Sequence, residues 1–327
     1  MNKNWLQDIE KAIQQLDLPI EPSSLYEPFR YTMGMGGKRI RPYLTLLACG
    51  IAKGQHAKAI HAALAIEILH NFTLVHDDIM DEAETRRGIP CVHKKWDSNV
   101  AILSGDVMYV YAFQQLMYYG KNKNIDYGDY YALMDVFIRA TVKVCDGQAL
   151  DMELMQREKV QVDQYIEMIE GKTGALISAA LGLGVIVGGR LDLLTNMQEL
   201  GMLMGAAFQM QDDLLDITAE PENFGKKKAG DILEGKKTYL WIRTYEQCNT
   251  NEQILMNLAY TGTKAQLNDE YIASVVELMH KYKVIDEISD LINNKYAQIY
   301  DIIGEFEHSD YRSELHRLVD YLMSRNK

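Results

Sequence analysis

The chain has 327 residues, of which 47% are apolar, so it can bury a sizeable core as one large domain or two smaller ones. Its formal net charge of −12 argues against general binding to nucleic acid. The four cysteines are scattered without a C-x-x-C pair, which argues against a structural zinc site and favours a reducing compartment. We therefore expect a cytoplasmic protein, and because no boundary clearly divides the chain we expect one domain over residues 1–327.

Two segments bear on membrane association. Residues 1–17 are amphipathic and charged and lack the apolar core of a signal peptide. Residues 173–189 carry no charge and include a G-x-x-x-G from Gly184 to Gly188, at the short limit for a spanning helix. We predict that the second segment is a buried core helix packed closely on its neighbours, and that the protein has no integral membrane segment.

Helical periodicity dominates the rest of the chain. Only six prolines occur, and apolar residues recur at helical spacing, for example at Ile60, Leu64, Ile68, Phe72 and Val75. No convincing run of alternating strand residues is found. We predict an all-α protein with loops at residues 19–24, 34–37, 84–90, 121–128 and 219–235. The last loop is long, and loops of that length are often functional lids.

Two aspartate clusters with the same Asp-Asp-x-x-Asp pattern lie at the C-terminal ends of two of the predicted helices. They read Asp77-Asp78-Ile79-Met80-Asp81 and Asp212-Asp213-Leu214-Leu215-Asp216. Positions i and i+4 of a helix lie one turn apart on the same face, so the first and last aspartates of each cluster stack. Like charges at that spacing repel, which favours a cationic partner, and hard carboxylate oxygens suit Mg²⁺. The two helices would present equivalent ends to one cavity.

Basic residues accompany these clusters at the edges of predicted elements. They are Lys38, Arg39 and Arg41 before one helix, Arg86 and Arg87 after the first cluster, Lys172 beside Thr173, and Lys226, Lys227, Lys228 and Lys236 in the last loop. Carboxylate-bound Mg²⁺ is usually shared with phosphate oxygens, whose remaining charge needs cations. One basic run is usually a solvated surface, but this interleaving indicates a phosphate site.

A nucleotide P-loop is the competing explanation for phosphate binding. At Gly171-Lys172-Thr173 the pattern fails because residue 166 is Ile, and at residues 230–237 it fails because Lys237 replaces Ser or Thr. Neither segment follows a predicted strand, which the motif requires. We therefore reject a P-loop.

A few polar residues interrupt otherwise apolar helices. His70 lies two turns before the first aspartate cluster, and Gln209 lies three residues before the second. Gln148 and Asp151 are two further polar residues in an otherwise apolar helical segment. Spacing alone leaves both a ligand role and a role in a polar core network open for these residues.

Taken in order, these motifs resemble those of the trans-type isoprenyl diphosphate synthases, the polyprenyl synthetases. The resemblance runs from about residue 36 to residue 237. It is carried by Gly37-Lys38-Arg39-Ile40-Arg41-Pro42, His70, the first aspartate cluster, Arg86-Arg87-Gly88, Gly105-Asp106, Gly147-Gln148, Gly171-Lys172-Thr173, Phe208-Gln209, the second cluster, Gly225-Lys226, Asp231 and Lys236.

The resemblance implies an antiparallel helical bundle around a deep central cavity, assembled as a homodimer. In the trinuclear Mg²⁺ cluster of such an enzyme, the main ligands here would be Asp77, Asp81 and Asp212, with Asp78, Asp213 and Asp216 in secondary positions. The allylic diphosphate would be held by Arg86, Lys172, Lys236 and, when the last loop closes, Lys226. Isopentenyl diphosphate would be held by Lys38, Arg41, His70 and Arg87.

The resemblance also implies the reaction. Metal ions and cationic side chains stabilise the departing diphosphate, so that the allylic C–O bond ionises. The double bond of isopentenyl diphosphate attacks the allyl cation, and the departing pyrophosphate takes the proton that is lost. Thr173 and Gln209 would stabilise the cation by their dipoles, and loop closure would exclude water.

Product length is the finer expectation. Leu69, Phe72 and Thr73 precede Asp77 by eight, five and four residues, which is about 12, 7.5 and 6 Å along a helix. In this family a bulky residue at the fifth position before the first aspartate acts as a floor, and Phe72 is bulky, although spacing alone also allows it to be ordinary core. The pattern resembles short-chain enzymes that make C20 geranylgeranyl diphosphate, with C15 farnesyl diphosphate as the alternative.

Two other functions remain in competition. A class I terpene cyclase also ionises diphosphates through an aspartate cluster, but it needs no second diphosphate site such as Lys38, Arg41 and Arg87 would provide. A non-catalytic regulatory subunit of a prenyl synthase would be expected to lose aspartates or basic residues, and here both sets are intact.

Overall fold

The computed structural model describes residues 1–122, 125–218, 229–261 and 267–324, and these residues are almost entirely helical. Within those ranges the strands are limited to β1 (Thr85–Arg86) and β2 (Ile89–Pro90), which pair antiparallel. The all-α prediction is confirmed. The small hairpin is a departure from the loop predicted at residues 84–90, and its turn is made by Arg87 and Gly88, which both have positive φ.

Within the ranges that the structure describes, seventeen α-helices follow one another along the chain. They are α1 (Lys3–Gln14), α2 (Ser23–Gly34), α3 (Ile40–Ile51), α4 (Ile60–Met80), α5 (Val92–Lys95), α6 (Ser98–Lys121), α7 (Tyr127–Gln156), α8 (Val162–Ile169), α9 (Ala175–Val187), α10 (Leu194–Thr218), α11 (Gly230–Leu233), α12 (Tyr239–Gln247), α13 (Thr250–Met256), α14 (Leu258–Thr261), α15 (Asp269–Lys281), α16 (Val284–Glu305) and α17 (Asp310–Met323). Short 3₁₀ turns span His56–Ala59 and Leu191–Leu193, and a π-turn spans Glu170–Gly174.

The chain groups into two compact units. Unit 1 contains residues 1–139, 176–199 and 306–318, and unit 2 contains residues 140–175, 200–305 and the C-terminal residues from 319. Each unit is therefore assembled from separate stretches of sequence. The expectation of one domain stays a prediction.

In unit 1, α4 and α6 form the most extensive helix pair. The apolar face of α4 is buried. The residue before α6, Asp97, is its N-cap, and its side chain accepts a hydrogen bond from Val100 N over 2.8 Å. The two helices approach closely at Gly105, where a Cβ atom would lie 2.3 Å from His76 Nε2. This packing holds the C-terminal end of α4, which carries the first aspartate cluster.

The predicted Gly/Ala-rich core helix is α9. A Cβ atom on Gly184 would lie 2.4 Å from Thr45 O, and one on Gly188 would lie 2.4 Å from Ala52 Cβ, so α9 packs closely on α3. By length and composition alone, the helical stretches His56–Met80 and Val162–Val187 could each cross a membrane. However, 61% and 89% of their apolar windows are buried inside the protein, as in core helices.

In unit 2, α10 carries the second aspartate cluster near its C-terminal end. Residues 219–228 of the predicted last loop lie outside the described residues. The remainder differs from the prediction because residues 230–233 form the short helix α11. Its first amides are satisfied locally, since Gly230 N and Asp231 N donate to the Asp216 carboxylate over 3.2 and 3.1 Å.

Candidate active site

The first aspartate cluster continues the helical spacing of α4. Asp81 N donates to Asp77 O over 2.8 Å, so Asp77 and Asp81 lie one turn apart. Asp78 is only 3% exposed, and its Oδ1 accepts from Arg86 Nε over 2.8 Å and Nη2 over 2.6 Å. Burial and a hydrogen bond to Asp78 raise the pKa of Cys91 to about 12, so this thiol stays protonated and donates to the same carboxylate. Asp78 thus holds the Arg86 guanidinium beside the cluster.

A basic cluster forms where the loop before α3 meets the hairpin. Arg87 donates to Gly36 O, and its guanidinium takes the space that a side chain on residue 37 would need: a Cβ atom there would lie 2.9 Å from Arg87 Cζ. Gly37 also has a φ of 136°, a conformation that L side chains disfavour. Arg41 Nη1 lies 3.2 Å from His70 Nε2. The structure therefore brings together Arg41, His70 and Arg87, as the predicted shared role requires.

Electrostatics make this cluster suited to an anion. Burial, then the charges of Arg41 and Arg87, lower the pKa of His70 well below its usual value, so His70 is neutral at pH 7. Because arginine only donates, His70 Nε2 accepts and Nδ1 carries the proton. Among the described residues, buried Arg41 Nε has no hydrogen-bond partner. A half-buried guanidinium whose buried Nε donor is unused, next to a second guanidinium, favours a phosphate ligand.

The neighbouring basic residues have different surroundings. Arg39 is 4% exposed and its Nη1 donates to buried Glu67 over 2.6 Å, while its Nε donates to Glu10 over 2.7 Å. Asn71 Nδ2 also donates to the Glu67 carboxylate, over 3.1 Å. Arg39 therefore anchors the loop in the core, whereas Lys38 beside it is exposed.

In unit 2, a chain of hydrogen bonds links α8, the π-turn and α10. Thr173 Oγ1 lies 3.1 Å from Gln209 Oε1, and Gln209 Nε2 donates to Asp213 Oδ1 over 2.9 Å. Fully buried Tyr165 donates its hydroxyl proton to Asp213 Oδ2 over 2.6 Å. Since Gln209 Oε1 can only accept, the Thr173 proton is directed at Gln209, and its oxygen lone pairs remain for another group.

The surroundings of Asp213 and Asp216, in the second cluster, disfavour the ionised form of their carboxyl groups. Burial, then the charge of Asp231, raise the pKa of Asp213 to about 7 and that of Asp216 to about 6. Asp216 is further engaged by the backbone amides that begin α11. A cation bound nearby would stabilise the ionised forms, so its binding would release protons.

Two lysines of unit 2 form ion pairs with carboxylates. Lys172 Nζ lies 2.5 Å from Asp151 Oδ2. Lys236 Nζ lies 3.3 Å from Asp231 Oδ1 and 2.8 Å from Glu234 Oε2. Burial opposes the charge of Lys236, but Asp231 and Glu234 outweigh it and raise the pKa of this ammonium group above its usual value. Lys236 is therefore charged at neutral pH.

These side chains of unit 2 surround one cavity of about 80 Å³. Its polar lining comprises Asp151, Lys172, Thr173, Gln209, Asp213, Asp231, Lys236, Lys237 and Thr238. The structure thus collects Lys172, Thr173, Gln209 and Lys236, which the sequence predicted from three separate segments. Lys226 lies outside the described residues.

Several contributors were not predicted from the sequence. Tyr165, Glu67 and Cys91 gave no signal, because each lies in an apolar or ordinary segment and acquires its partner only through tertiary contact. The sequence did indicate two others. Asp151 is a polar residue in an otherwise apolar helix, and Asp231 is one of the residues that carry the family resemblance.

The proposed product floor lies on α4 next to α6. Phe72 is half-buried, and its ring centroid lies 5.5 Å from that of Tyr109 and 4.8 Å from that of His76. Leu69 is fully buried, and Thr73 Oγ1 donates to His70 O over 2.8 Å. An aromatic contact thus lies at the position where the sequence predicts a floor.

The donor chemistry fits magnesium bound together with a phosphate ligand. Within the described ranges, no three acidic, His or Cys side chains converge closely enough to hold an ion by themselves. Mg²⁺ usually takes one or two carboxylates and completes its shell with water and substrate phosphates, so single carboxylates such as Asp77, Asp81 and Asp212 suffice.

Comparison with known proteins identifies the family of this chain. The family model described as polyprenyl synthetase matches residues 22–279. The geranylgeranyl diphosphate synthase of Methanosarcina mazei is 41% identical over 247 residues, which cover 75% of each chain. The geranylfarnesyl diphosphate synthase of Natronomonas pharaonis is 29% identical over an alignment that covers 97% of this chain and 95% of that protein.

Solved structures share the fold. The crystal structure of geranylgeranyl pyrophosphate synthetase from Pyrococcus horikoshii matches with a TM-score of 0.90 and 32% identity. The match covers 98% of this chain and 96% of that chain.

Proposed function

The chain belongs to the polyprenyl synthetase family and is a prenyltransferase, and from this premise we propose its reaction. It condenses isopentenyl diphosphate with an allylic diphosphate, in a magnesium-dependent reaction, to give C20 geranylgeranyl diphosphate. Relatives whose names specify geranylgeranyl and geranylfarnesyl products support a product of this size class. The C15 farnesyl product remains the shorter alternative.

The observation that carries this proposal is the cavity of unit 2. Two charged lysines, Lys172 and Lys236, line it together with the Thr173 hydroxyl and the Gln209 amide. Cations beside oriented oxygen dipoles match a reaction in which a diphosphate leaves and a carbocation forms.

Diphosphate departure is the step that the cations serve. We propose that Lys172, Lys236, Arg86 and, from outside the described residues, Lys226 bind the allylic diphosphate and neutralise the charge that develops on it. Bound magnesium, held by Asp77, Asp81 and Asp212 with the remaining cluster aspartates Asp78, Asp213 and Asp216 in support, would supply further charge stabilisation. The Lys172–Asp151 ion pair would keep the ammonium group in place before substrate arrives.

Carbocation stabilisation is the role proposed for Thr173. Its proton is directed at Gln209, whose amide is in turn held by Asp213 and Tyr165. The Thr173 oxygen can therefore offer lone pairs to the allyl cation without reorienting, which is the advantage of a preorganised dipole. A water molecule at that position would quench the cation, so the proposal also requires that water be excluded while the cation exists.

Isopentenyl diphosphate is proposed to bind at the basic cluster of unit 1. Arg41 and Arg87 would contact its phosphate oxygens, and neutral His70 would donate from Nδ1 while its Nε2 accepts from Arg41. Exposed Lys38 would add a further charge from the adjoining loop. Two separate anion sites are what a condensing enzyme needs and what a terpene cyclase does not.

A product assay tests the function. The protein would be incubated with Mg²⁺, isopentenyl diphosphate and, separately, dimethylallyl, geranyl and farnesyl diphosphates, and the products sized by chromatography. We expect a C20 diphosphate, and no turnover in EDTA until Mg²⁺ is restored. Cyclic hydrocarbons formed without isopentenyl diphosphate would indicate a cyclase. No turnover by folded, metal-replete protein would indicate a regulatory subunit.

Replacing Phe72 by Ala is expected to lengthen the product beyond C20. Removing the ring opens the space against Tyr109, one and a half turns below Asp77, where the growing chain would otherwise stop. Phe72→Trp, which retains a bulky ring, should keep or shorten the product. Chromatographic sizing of the prenyl chains measures both, and an unchanged length in Phe72→Ala would make Phe72 ordinary core.

We also propose a homodimer through exposed apolar residues of unit 1. Leu103, Val110 and Met117 recur every seven residues on α6 and are 60%, 61% and 56% exposed. Tyr131 and Ile138 on α7 are 67% and 45% exposed. A face of this kind is costly to leave in water and suits a second copy of the same chain.

Sedimentation equilibrium is expected to give twice the chain mass of 37.4 kDa. Val110→Lys, which puts a charge in the centre of the stripe, should shift the equilibrium toward monomer. Ile254→Lys, at a position 61% exposed on α13, is the matched control and should stay dimeric. A wild-type monomer would refute the dimer. We propose a cytoplasmic location, which the absence of a disulfide among the four cysteines supports.

A further inference from the structure

The π-turn that carries Lys172 and Thr173 is an unusual piece of backbone. Ala175 N bonds to Glu170 O, five residues back, where an α-helix would bond four back. Such turns are rare, appear mostly as single turns inside α-helices and are frequent at functional sites. The residues that hold this one are therefore of interest.

On one side, α7 contacts the turn at backbone distance. A Cβ atom built on Gly147 would lie 2.2 Å from Lys172 N and 2.6 Å from Gly171 C. A Cβ on Gly171 would lie 2.8 Å from Gly147 Cα and 2.9 Å from Lys143 O. No flexible side chain intervenes, so any added atom must displace main chain.

On the other side, α10 makes a second contact of the same kind. A Cβ atom on Gly205 would lie 2.4 Å from Gly174 Cα and 2.8 Å from Gly174 N. The π-turn is thus held between two glycines, Gly147 and Gly205, that come from different helices.

We propose that Gly147 and Gly205 are positioning residues that clamp the π-turn and thereby fix where Lys172 and Thr173 meet the allylic substrate. This inference rests on the proposed function for its catalytic consequence. A side chain at either position would move the turn, and with it Lys172 Nζ at 2.5 Å from Asp151 and Thr173 Oγ1 at 3.1 Å from Gln209. A misplacement of about 1 Å in a reacting group costs roughly 100-fold in rate.

Alanine substitutions test the clamp. Gly147→Ala and Gly205→Ala are the clamp variants. Gly184→Ala is the matched control, because its Cβ would clash equally with main chain, at 2.4 Å from Thr45 O, but in unit 1 and away from the turn. Gly304→Ala, whose Cβ has no atom within 4 Å, controls for the substitution itself. If Gly147→Ala does not fold, Gly171→Ala introduces a milder clash at the same contact.

Three quantities would be measured for each variant: the Tm, kcat for condensation well below the lowest Tm, and amide hydrogen exchange of residues 170–175. We expect about a 100-fold lower kcat and faster exchange in the clamp variants. Gly184→Ala should lose Tm comparably but keep kcat and exchange of the turn within about twofold of wild type. Clamp variants that match Gly184→Ala in both kcat and exchange would overturn the proposal.

The exchange measurement separates this inference from the proposed function. If the wild-type protein does not condense isopentenyl diphosphate, the proposed function fails, while faster exchange confined to residues 170–175 in the clamp variants would still support the clamp. If the wild type is active but neither exchange nor kcat distinguishes the clamp variants from Gly184→Ala, the clamp fails and the function stands.

Discussion

Replacing Asp77 or Asp212 by Asn is expected to lower kcat roughly a thousandfold, which corresponds to about 4 kcal/mol of lost transition-state stabilisation. Each carboxylate is proposed to bind magnesium together with the leaving diphosphate. Asn keeps the size of the side chain but removes its charge, so the metal would be held weakly when the C–O bond breaks. Steady-state kinetics over a range of Mg²⁺ concentrations measures the effect, and higher Mg²⁺ should recover part of the rate.

Asp301→Asn is the matched control for this pair. Asp301 is an exposed residue of α16 that loses the same charge without belonging to either cluster. Its kcat should remain at the wild-type value. Circular dichroism should show all three variants folded. A near-wild-type rate in Asp77→Asn or Asp212→Asn would remove that residue from the metal ligands.

Replacing Lys172 by Gln is expected to lower kcat/KM for the allylic diphosphate roughly 100- to 1,000-fold. Lys172 presents a charged ammonium group to the cavity of unit 2, and the diphosphate would lose that contact as its charge develops. The substitution also leaves Asp151, which is 15% exposed, without its ion-pair partner. Part of any effect could therefore come from stability.

The double variant Lys172→Gln, Asp151→Asn separates the two causes. Neutralising Asp151 should restore the Tm, because a half-buried charge without its partner is removed, but it should not restore kcat/KM. Lys281→Gln breaks the ion pair with Glu252, whose side chain is also 15% exposed and lies in the same unit, so it is the control for loss of a salt bridge and should be fully active. Recovery of kcat/KM in the double variant would contradict the diphosphate-binding role of Lys172.

Local features of this protein followed directly from its sequence. The periodicity at Ile60, Leu64 and Ile68 predicted α4, and the structure places a helix over Ile60–Met80. The i, i+4 spacing of the aspartates predicted stacked carboxylates, and the Asp81–Asp77 backbone hydrogen bond agrees with it. These predictions succeed because helical geometry depends on residues only a few positions apart.

Departures from prediction occurred where a segment takes its conformation from distant contacts. The hairpin at residues 85–90 was expected to be a loop, because two-residue strands leave no periodicity to detect. Residues 173–189 were expected to form a core helix, yet the segment Glu170–Gly174, which overlaps its start, forms a π-turn. That conformation is held by Gly147 and Gly205, which lie on other helices.

The sequence by itself determined the helical class, the acidic faces and the inventory of basic groups. Only the tertiary structure decided their partners: Arg87 with Gly36, 51 residues away, Tyr165 with Asp213, 48 residues away, and Lys172 with Asp151, 21 residues away. The physical reason is that periodicity specifies which face of a helix is apolar, whereas partner choice depends on how helices pack and on the burial that shifts each pKa. Arg39 and Arg41, two residues apart, illustrate this difference, since packing pairs one with Glu67 and the other with His70.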